Sequence, residues 1–428
     1  MKKFLESRFH LEDEQTTVRK EVLAGITTFV AISYIIAVNG SILSMAGMSY
    51  EWVTLSTALT AFIGCMLMAF VGNSPLVVVP GMGDNAFFVF VLVASFGLTW
   101  QQALAATLIA GVLFLVIANK KVTNYLIEVI PKSMIAAMSG GIGMFIAFLG
   151  FKNSGIIIGD EATFVRLADL REAVPLAAVI TLIIMVILFL KNIKGNFLIG
   201  IILGTLIAAV FGLVDFSGIG QGAVSFSGYS SQLLAFDFSA AASFNFWIAV
   251  FSLTMMIVFQ NMGAQLSMLP EKEKFPVSFR INALSVIISA ILGTCATTSA
   301  AENAAGLAVG GRTGLTSFVA GILFLPAILL VPLFRIIPQS AISPVLIIVG
   351  CLMVMSVKDV LWGDFSEAFP AYLMMVIMPL SFNVANGLAF GFIAYPLVKC
   401  VMGKSKEVKP LMYLLSALFL IYFILGSG

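Results

Sequence analysis

Two short stretches place an acid among apolar neighbours: Asp84-Asn-Ala86 and Glu302-Asn-Ala304. A carboxylate next to a carboxamide offers acceptors for N–H groups, a pair of donors and a proton that can come and go. A third stretch, Phe259-Gln-Asn-Met-Gly263, follows the apolar run 248–258 and adds two adjacent amides. Gln260 carries donors and an acceptor on one side chain, which matches the in-plane edge of a lactam or aminopyrimidine ring. Asn261 is a second amide needing partners, and Phe259 offers a face on which a flat ligand can stack. Capping of a helix by the acid and hydrogen bonds that glue neighbouring helices are the alternatives left open for these side chains.

The chemistry missing from the sequence is equally informative. The single histidine, His10, lies close to the N-terminus, and Cys65, Cys295, Cys351 and Cys400 form no CxxC pair. Neither a nucleophile–base pair nor a metal cluster is expected, so no catalytic residue, metal or cofactor is assigned and the chain is not read as an enzyme. Gly310-Gly-Arg-Thr-Gly314 lacks the Lys-Ser/Thr ending of a phosphate-binding loop and reads as a tight turn.

The elements that must hold these residues are set by composition. Of 428 residues, 60% are hydrophobic and 10% charged, against roughly 25% charged in soluble chains. This is an all-α integral membrane protein in expectation. About 20 apolar residues span a bilayer, and apolar segments fall at 22–43, 52–71, 76–96, 103–118, 134–149, 174–190, 197–214, 246–268, 283–292, 296–309, 315–333, 341–355, 368–380 and 388–401. A further apolar segment at 411–425 is left open as crossing the membrane or lying along it. Residues 1–21 form a polar N-terminal segment without the features of a signal peptide. The Gly-, Ser- and Phe-rich stretch 215–245, free of Lys and Arg, reads as an external loop.

With the N-terminus cytoplasmic, only Lys152, Arg166, Arg171 and Arg335 of the 23 basic residues fall outside. Clusters such as Lys120-Lys121, Lys191/Lys194 and Lys404/Lys406/Lys409 then satisfy the positive-inside rule. The expected location is a cell membrane, with many crossings.

Three matches recur in the same order in both halves: Ile130-Pro-Lys-Ser133 with Ile337-Pro-Gln-Ser340, Arg171-Glu-Ala-Val-Pro175 with Ser366-Glu-Ala-Phe-Pro370, and Asp84-Asn-Ala86 with Glu302-Asn-Ala304. Their separations are 207, 195 and 218 residues. Internal repeats of this kind mark transporter folds, and a repeat of seven spans must be inverted. Prolines, glycines and β-branched residues at 74–83 and the β-compatible run 295–299 predict short extended segments in spans 3 and 10. Half-helices follow from Asp84 and from around Ala301. Non-helical backbone at membrane depth is tolerated only inside protein or beside a cavity. The two helix N-termini, meeting near the midplane, would stabilise Asp84 and Glu302 there, and two carboxylates near one cavity tend to share a proton.

These residues carry a resemblance. Thr17-Val-Arg-Lys-Glu-Val-Leu-Ala-Gly-Ile-Thr-Thr-Phe29, Pro80-Gly-Met-Gly83 with Asn85-Ala-Phe-Phe88, and the segment Glu302-Asn-Ala-Ala-Gly-Leu-Ala-Val-Gly-Gly-Arg-Thr-Gly-Leu-Thr316 closely resemble the AzgA-like purine permeases of the nucleobase-cation symporter-2 superfamily. The resemblance implies a 14-span, 7+7 inverted-repeat fold. Residues 22–118 and 246–335 (spans 1–4 and 8–11) then form a core domain, and 119–214 and 336–403 (spans 5–7 and 12–14) a gate domain. The external loop is 215–245 and the C-terminal apolar segment 404–428. It further implies uptake of a nucleobase, a purine favoured, with a proton, and Glu302 as the substrate-binding acid. Candidate substrate contacts are Glu302, Gln260, Asn261, Asn85, Asn303 and Phe259, with Glu302 and Asp84 linked to the proton.

Two positions depart from the family's pattern. Its purine permeases usually place an acid where this chain has Gln260 and an apolar residue where it has Asp84. That leaves open another planar heterocycle or an aromatic acid as substrate. An uncoupled anion carrier or channel on the same fold is the competing class. The expected partners are the nucleobase, a proton with Na⁺ open in its place, the lipid bilayer and, left open, a second copy of the chain as a homodimer; nucleic acid is not among them.

Overall fold

The computed structural model describes residues 6, 8–119, 129–193, 195–214, 228–330 and 336–426. Lys120, Lys121, Lys194, Arg335, residues 215–227 of the expected external loop and the 331–333 end of the eleventh span lie outside them. The chain runs through α1 (Val18–Ile32), α2 (Ile35–Ser44), α3 (Tyr50–Phe70), strand β1 (Val78–Pro80), α4 (Met82–Ala86) continuing into π-helical turns over Phe87–Ser95, α5 (Trp100–Ile117) and α6 (Lys132–Asn153). A hairpin of β2 (Ile157–Asp160) and β3 (Phe164–Leu167) leads to α7 (Ala173–Leu190) and α8 (Asn196–Val210). Then come α9 (Phe244–Met268), α10 (Phe275–Leu292), β4 (Thr297–Ser299), α11 (Asn303–Val309), α12 (Gly314–Ala327), α13 (Gln339–Val354), α14 (Phe365–Leu380), α15 (Val384–Val401) and α16 (Pro410–Gly426).

Eight of these stretches among the described residues are long and apolar enough to cross a membrane, and six shorter apolar helices accompany them. Helix starts follow local capping chemistry. The Thr17 hydroxyl accepts from the Lys20 N–H, so α1 begins before residue 22, inside the segment expected to be a polar lead-in. Thr99 and Gln102 form a reciprocal capping box at α5. Helix α10 starts at Phe275, eight residues ahead of the apolar segment read from sequence. Arg280 lengthens it without a buried charge: its side chain is exposed and its Nε donates to the Ala118 carbonyl at 3.1 Å. The β2–β3 hairpin was not foreseen; Asp160 Oδ1 accepts from the N–H groups of Ala162 and Thr163 in its turn, and those bonds hold this carboxyl below its ordinary pKa.

The heaviest helix packing falls in two sets. Helices α1, α3, α5, α9, α10, α11 and α12 pack on one another, and α6, α7, α8, α13, α14 and α15 form the second set. Within the second set α6 and α13 cross at Gly143 and Gly350: a Cβ on Gly143 would lie 2.6 Å from the Gly350 carbonyl oxygen, so neither position admits a side chain. These glycines are 207 residues apart, the separation of the Ile-Pro motifs that open the same two helices.

The extended segments of spans 3 and 10 pair with each other. β1 and β4 run antiparallel in the register Val78–Ser299, Val79–Thr298, Pro80–Thr297. The pairing is shorter than the extended run 74–83 read from sequence, and α4 begins at Met82, two residues ahead of Asp84. Strand pairing satisfies backbone groups that would be expensive to leave unpaired at membrane depth. Because the strands are antiparallel, α4 leaves from one end of the ribbon and α11 from the other.

Candidate functional site

Asp84 sits in the first turn of α4, with Gly81 as the N-cap residue. Its carboxylate folds back over Gly81, where a Cβ would collide with Oδ2. Gly81 is therefore needed for space, and its N–H donates to the Ala296 carbonyl at 3.1 Å, tying the helix start to β4. Asp84 is fully buried. Its Oδ2 accepts from Gln260 Nε2 at 3.4 Å, whereas Oδ1 has no protein partner.

Gln260, on α9, also donates from Nε2 to Thr298 Oγ1 at 3.3 Å, leaving its Oε1 without a partner. Asn261, the next residue, is spent on β4. Its Nδ2 donates to the Ile257 and Thr297 carbonyls, and its Oδ1 accepts from the Thr298 hydroxyl and the Ser299 N–H. Asn303 plays the matching part for β1: Oδ1 accepts from the Val77 N–H at 2.8 Å, and Nδ2 donates to the carbonyls of Val77 and Ala300. Both amides, expected as substrate contacts, bond backbone at the two strands. Asn85, which follows Asp84 as Asn303 follows Glu302, is fully buried, yet its Oδ1 is unpartnered. Phe259 is packed in the central apolar core and 1% exposed.

Glu302 caps α11 by position but not by its side chain. Its carboxylate instead accepts a hydrogen bond from the Tyr34 hydroxyl. Tyr34 lies in the break between α1 and α2, is 2% exposed, and packs edge-on against Phe197 of α8 with ring centroids 5.3 Å apart. Sequence reasoning missed Tyr34; the available signal was a phenol inside an apolar span, which needs a partner. It also missed Thr298, whose hydroxyl links the two amides of α9. The structure therefore brings Asp84, Gln260, Asn261 and β4 into one hydrogen-bonded cluster and gives Glu302 a separate partner. The two acids, at opposite ends of the ribbon, do not share one hydrogen bond.

Nothing at the site resembles a metal centre: among the described residues no group of three or more His, Cys, Asp and Glu is placed to hold an ion. The four cysteines are free, and Cys295 Sγ donates to Asn39 Oδ1 at 3.4 Å as a packing contact.

Comparison with known proteins identifies what kind of chain carries this strand-paired couple of short helices. A family model described as "Permease family", Xan_ur_permease, matches residues 19–390. The nucleobase transporter PlAzg2 of Paenibacillus larvae is 39% identical over 89% of this chain and 77% of its own length. The chain belongs to the nucleobase permease family. Similarity to the permease extends to the guanine/hypoxanthine permease PbuO of Bacillus subtilis, 34% identical over 96% of this chain and 99% of that one. The adenine permease AdeP of Escherichia coli is also 34% identical, over 97% and 95%. Its relatives are permeases rather than enzymes. Among solved structures, the transmembrane domain of a cyanobacterium bicarbonate transporter, BicA, superposes with a TM-score of 0.63 at 17% identity, over 86% of the permease and 97% of that domain. The murine anion transporter Slc26a9, in its inward-facing state, gives 0.64 at 11% identity, over 90% and 68%. At such identities the likeness concerns the fold.

Proposed function

We propose that this permease imports a purine nucleobase together with a proton by alternating access, across a cell membrane in which its N-terminus is cytoplasmic. The observation that carries the reading is the β1–β4 ribbon with an acid at each helix start, faced on α9 by an amide with an unpartnered oxygen. Glu302, Gln260 and Asn85 contact the base in this reading. Asn261 and Asn303 hold the strands, Phe259 backs the site, and Asp84 and Glu302 are the proton-linked groups.

The moving parts follow from the packing. The first helix set, with the ribbon, serves as a core carrying the site, and the second serves as a gate, in a 14-span 7+7 inverted repeat. Support comes from the three repeated motifs and from the meeting of Gly143 and Gly350, related by the repeat spacing and in contact with each other, as residues beside a pseudo-two-fold axis must be. The Tyr34–Phe197 contact joins the two sets at the level of Glu302, so a change at that acid has a short route to the gate.

Anion carriage, the activity named for the structural neighbours, fits less well. Acids at both helix starts repel an anion where a free dipole end would attract it. The test is uptake of radiolabelled guanine, hypoxanthine and adenine into proteoliposomes. An inward proton gradient should accelerate uptake and a protonophore should abolish accumulation. A requirement for Na⁺ with indifference to the proton gradient would overturn the coupling; permeation by inorganic anions alone would overturn the class.

A further inference from the structure

We infer that Glu21 is a positioning residue for Glu302: it fixes where α1 sits along α11, and so keeps the Tyr34 hydroxyl on the Glu302 carboxylate. The inference rests on the proposed contact of Glu302 with the base and adds the device that holds that acid in place.

Helix α11 is too short to hold its own place. It has seven residues, Asn303–Val309, well below the roughly 12–15 at which an isolated helix becomes marginally stable, so its neighbours set its position. Helix α1 meets it at both ends. At the head, Glu302 accepts from the Tyr34 hydroxyl. At the tail, α11 stops at Gly310, left-handed with φ 106°, and the chain turns into α12. There the Glu21 carboxylate, 0% exposed, gathers the free protons of the turn. Its Oε1 accepts from the Arg312 N–H at 2.8 Å, and its Oε2 accepts from the N–H groups of Thr313 and Thr316 at 3.3 and 3.2 Å and from the Thr316 hydroxyl at 2.6 Å. Hydrogen bonds to an ionised acceptor are the strong ones. Ordinary capping of α12 falls to another residue, since the Thr313 side chain already accepts from the Leu315 N–H.

Between these two points α1 has little play. A Cβ on Gly25 would lie 2.6 Å from the Thr316 carbonyl oxygen, and one on Gly306 2.9 Å from the Ala24 carbonyl oxygen, so α1 meets α12 and α11 backbone to backbone. The helical path continues past Ile32, with the Ser33 N–H donating to the Phe29 carbonyl at 2.8 Å and the Val38 N–H to the Tyr34 carbonyl at 3.1 Å. Glu21 and Tyr34 therefore lie on one rod, about 20 Å apart at 1.5 Å per residue. A slide of α1 at the Glu21 end is passed along to Tyr34, where an O–H···O bond is confined to about 2.5–3.0 Å. Glu21→Gln cannot keep the grip. Whichever way its amide turns, the NH₂ faces an N–H, either of Arg312 or of Thr313 and Thr316.

The test is a double-mutant cycle on the purified full-length permease: wild type, Glu21→Gln, Tyr34→Phe and the two together. Binding of radiolabelled guanine, hypoxanthine and adenine and thermal melting are read on all four proteins. Because Glu21 acts through Tyr34, Glu21→Gln should weaken binding by about 3- to 10-fold, no more than Tyr34→Phe does, and should add nothing in the Tyr34→Phe background. Its drop in melting temperature should persist in that background. A stability loss that persists where the binding loss has gone separates positioning from a merely structural role. Thr316→Val removes the hydroxyl at 2.6 Å while keeping size and branching; it should reproduce the pattern at smaller amplitude and takes the place of Glu21→Gln if that variant does not fold. Wild-type binding in the variant, or an equal loss with and without the Tyr34 hydroxyl, overturns the positioning role and leaves nucleobase transport standing. Failure of every base to bind the wild-type protein overturns the transport reading and the inference with it.

Discussion

Tyr34→Phe is the cleanest perturbation of the Glu302 side of the site, because it deletes one hydroxyl and leaves the ring against Phe197. The hydroxyl donates to a carboxylate that heads α11, and at 2% exposure Tyr34 has little access to water as a substitute partner. A hydrogen bond to a charged group contributes about 1.5–3 kcal/mol, against about 0.5–1.5 kcal/mol for a neutral pair. If Glu302 holds the base with its carboxylate oriented by Tyr34, the double-mutant cycle with Glu302→Gln isolates the difference, about 1 kcal/mol, or roughly 5-fold in Kd. The expected pattern is therefore unequal. Tyr34→Phe weakens base binding about 10-fold or more in the wild type and clearly less in the Glu302→Gln background, where the partner is a neutral amide oxygen. Calorimetry on the four purified proteins reads the cycle, and proteoliposome uptake reads its consequence, with concentrative uptake lost in Glu302→Gln. Equal effects of Tyr34→Phe in both backgrounds would refute the orientation argument. Wild-type accumulation by Glu302→Gln would refute the role of Glu302 itself.

Two further outcomes follow from geometry away from the ligand. Gly350→Val forces a side chain into the Gly143 carbonyl and should destabilise the detergent-solubilised protein by about 1–3 kcal/mol or more, whereas Gly363→Ala, with nothing within 4 Å of its added Cβ, should melt like wild type. Asp364, outside the spans, accepts from Lys404 Nζ at 2.6 Å and from the Ser366 hydroxyl and N–H, which hold its carboxyl well below the ordinary value of 3.8. A lowered folded pKa means that the stabilisation is present above the ordinary value and lost as pH falls through the lowered one. Thermal melts from neutral pH downward should accordingly converge for wild type and Lys404→Ala on the acid side, and a gap that persists there would contradict the pairing.

Much of this was legible because a bilayer penalises polarity so heavily. Asp84, Glu302 and Gln260 stand out in an apolar sequence since each needs a specific partner to be tolerated, and the prolines and glycines around them gave away the two broken spans. Helix ends were harder to place, as Arg280 illustrates: a hydropathy reading stops at a charge, but a long side chain carries that charge to the surface while its helix continues. Partners were hardest. Tyr34 meets Glu302 across 268 residues of chain, and nothing local to either residue specifies that meeting. Asn261 and Asn303 were recognised as polar groups in need of bonds, but only the register of β1 on β4 shows the bonds they make to backbone at the strands.

That register also explains why the two acids of the matching Asp-Asn-Ala and Glu-Asn-Ala motifs are not equivalent. The same Asn follows each acid, yet Asn303 clasps the backbone of Val77 just before β1 while Asn85 keeps an unpartnered oxygen. Asp84 faces an amide whose protons are already committed, and Glu302 faces a phenol from the break in the first span. One acid therefore lies beside an amide with an unpartnered oxygen, and the other is held by a residue that touches α8. A symmetric pair of acids could bind a ligand but would give it no reason to prefer one orientation. Unequal partners supply that reason, and in the proposed transport cycle a base that reaches Glu302 is felt by the second helix set through Tyr34 and its contact with Phe197.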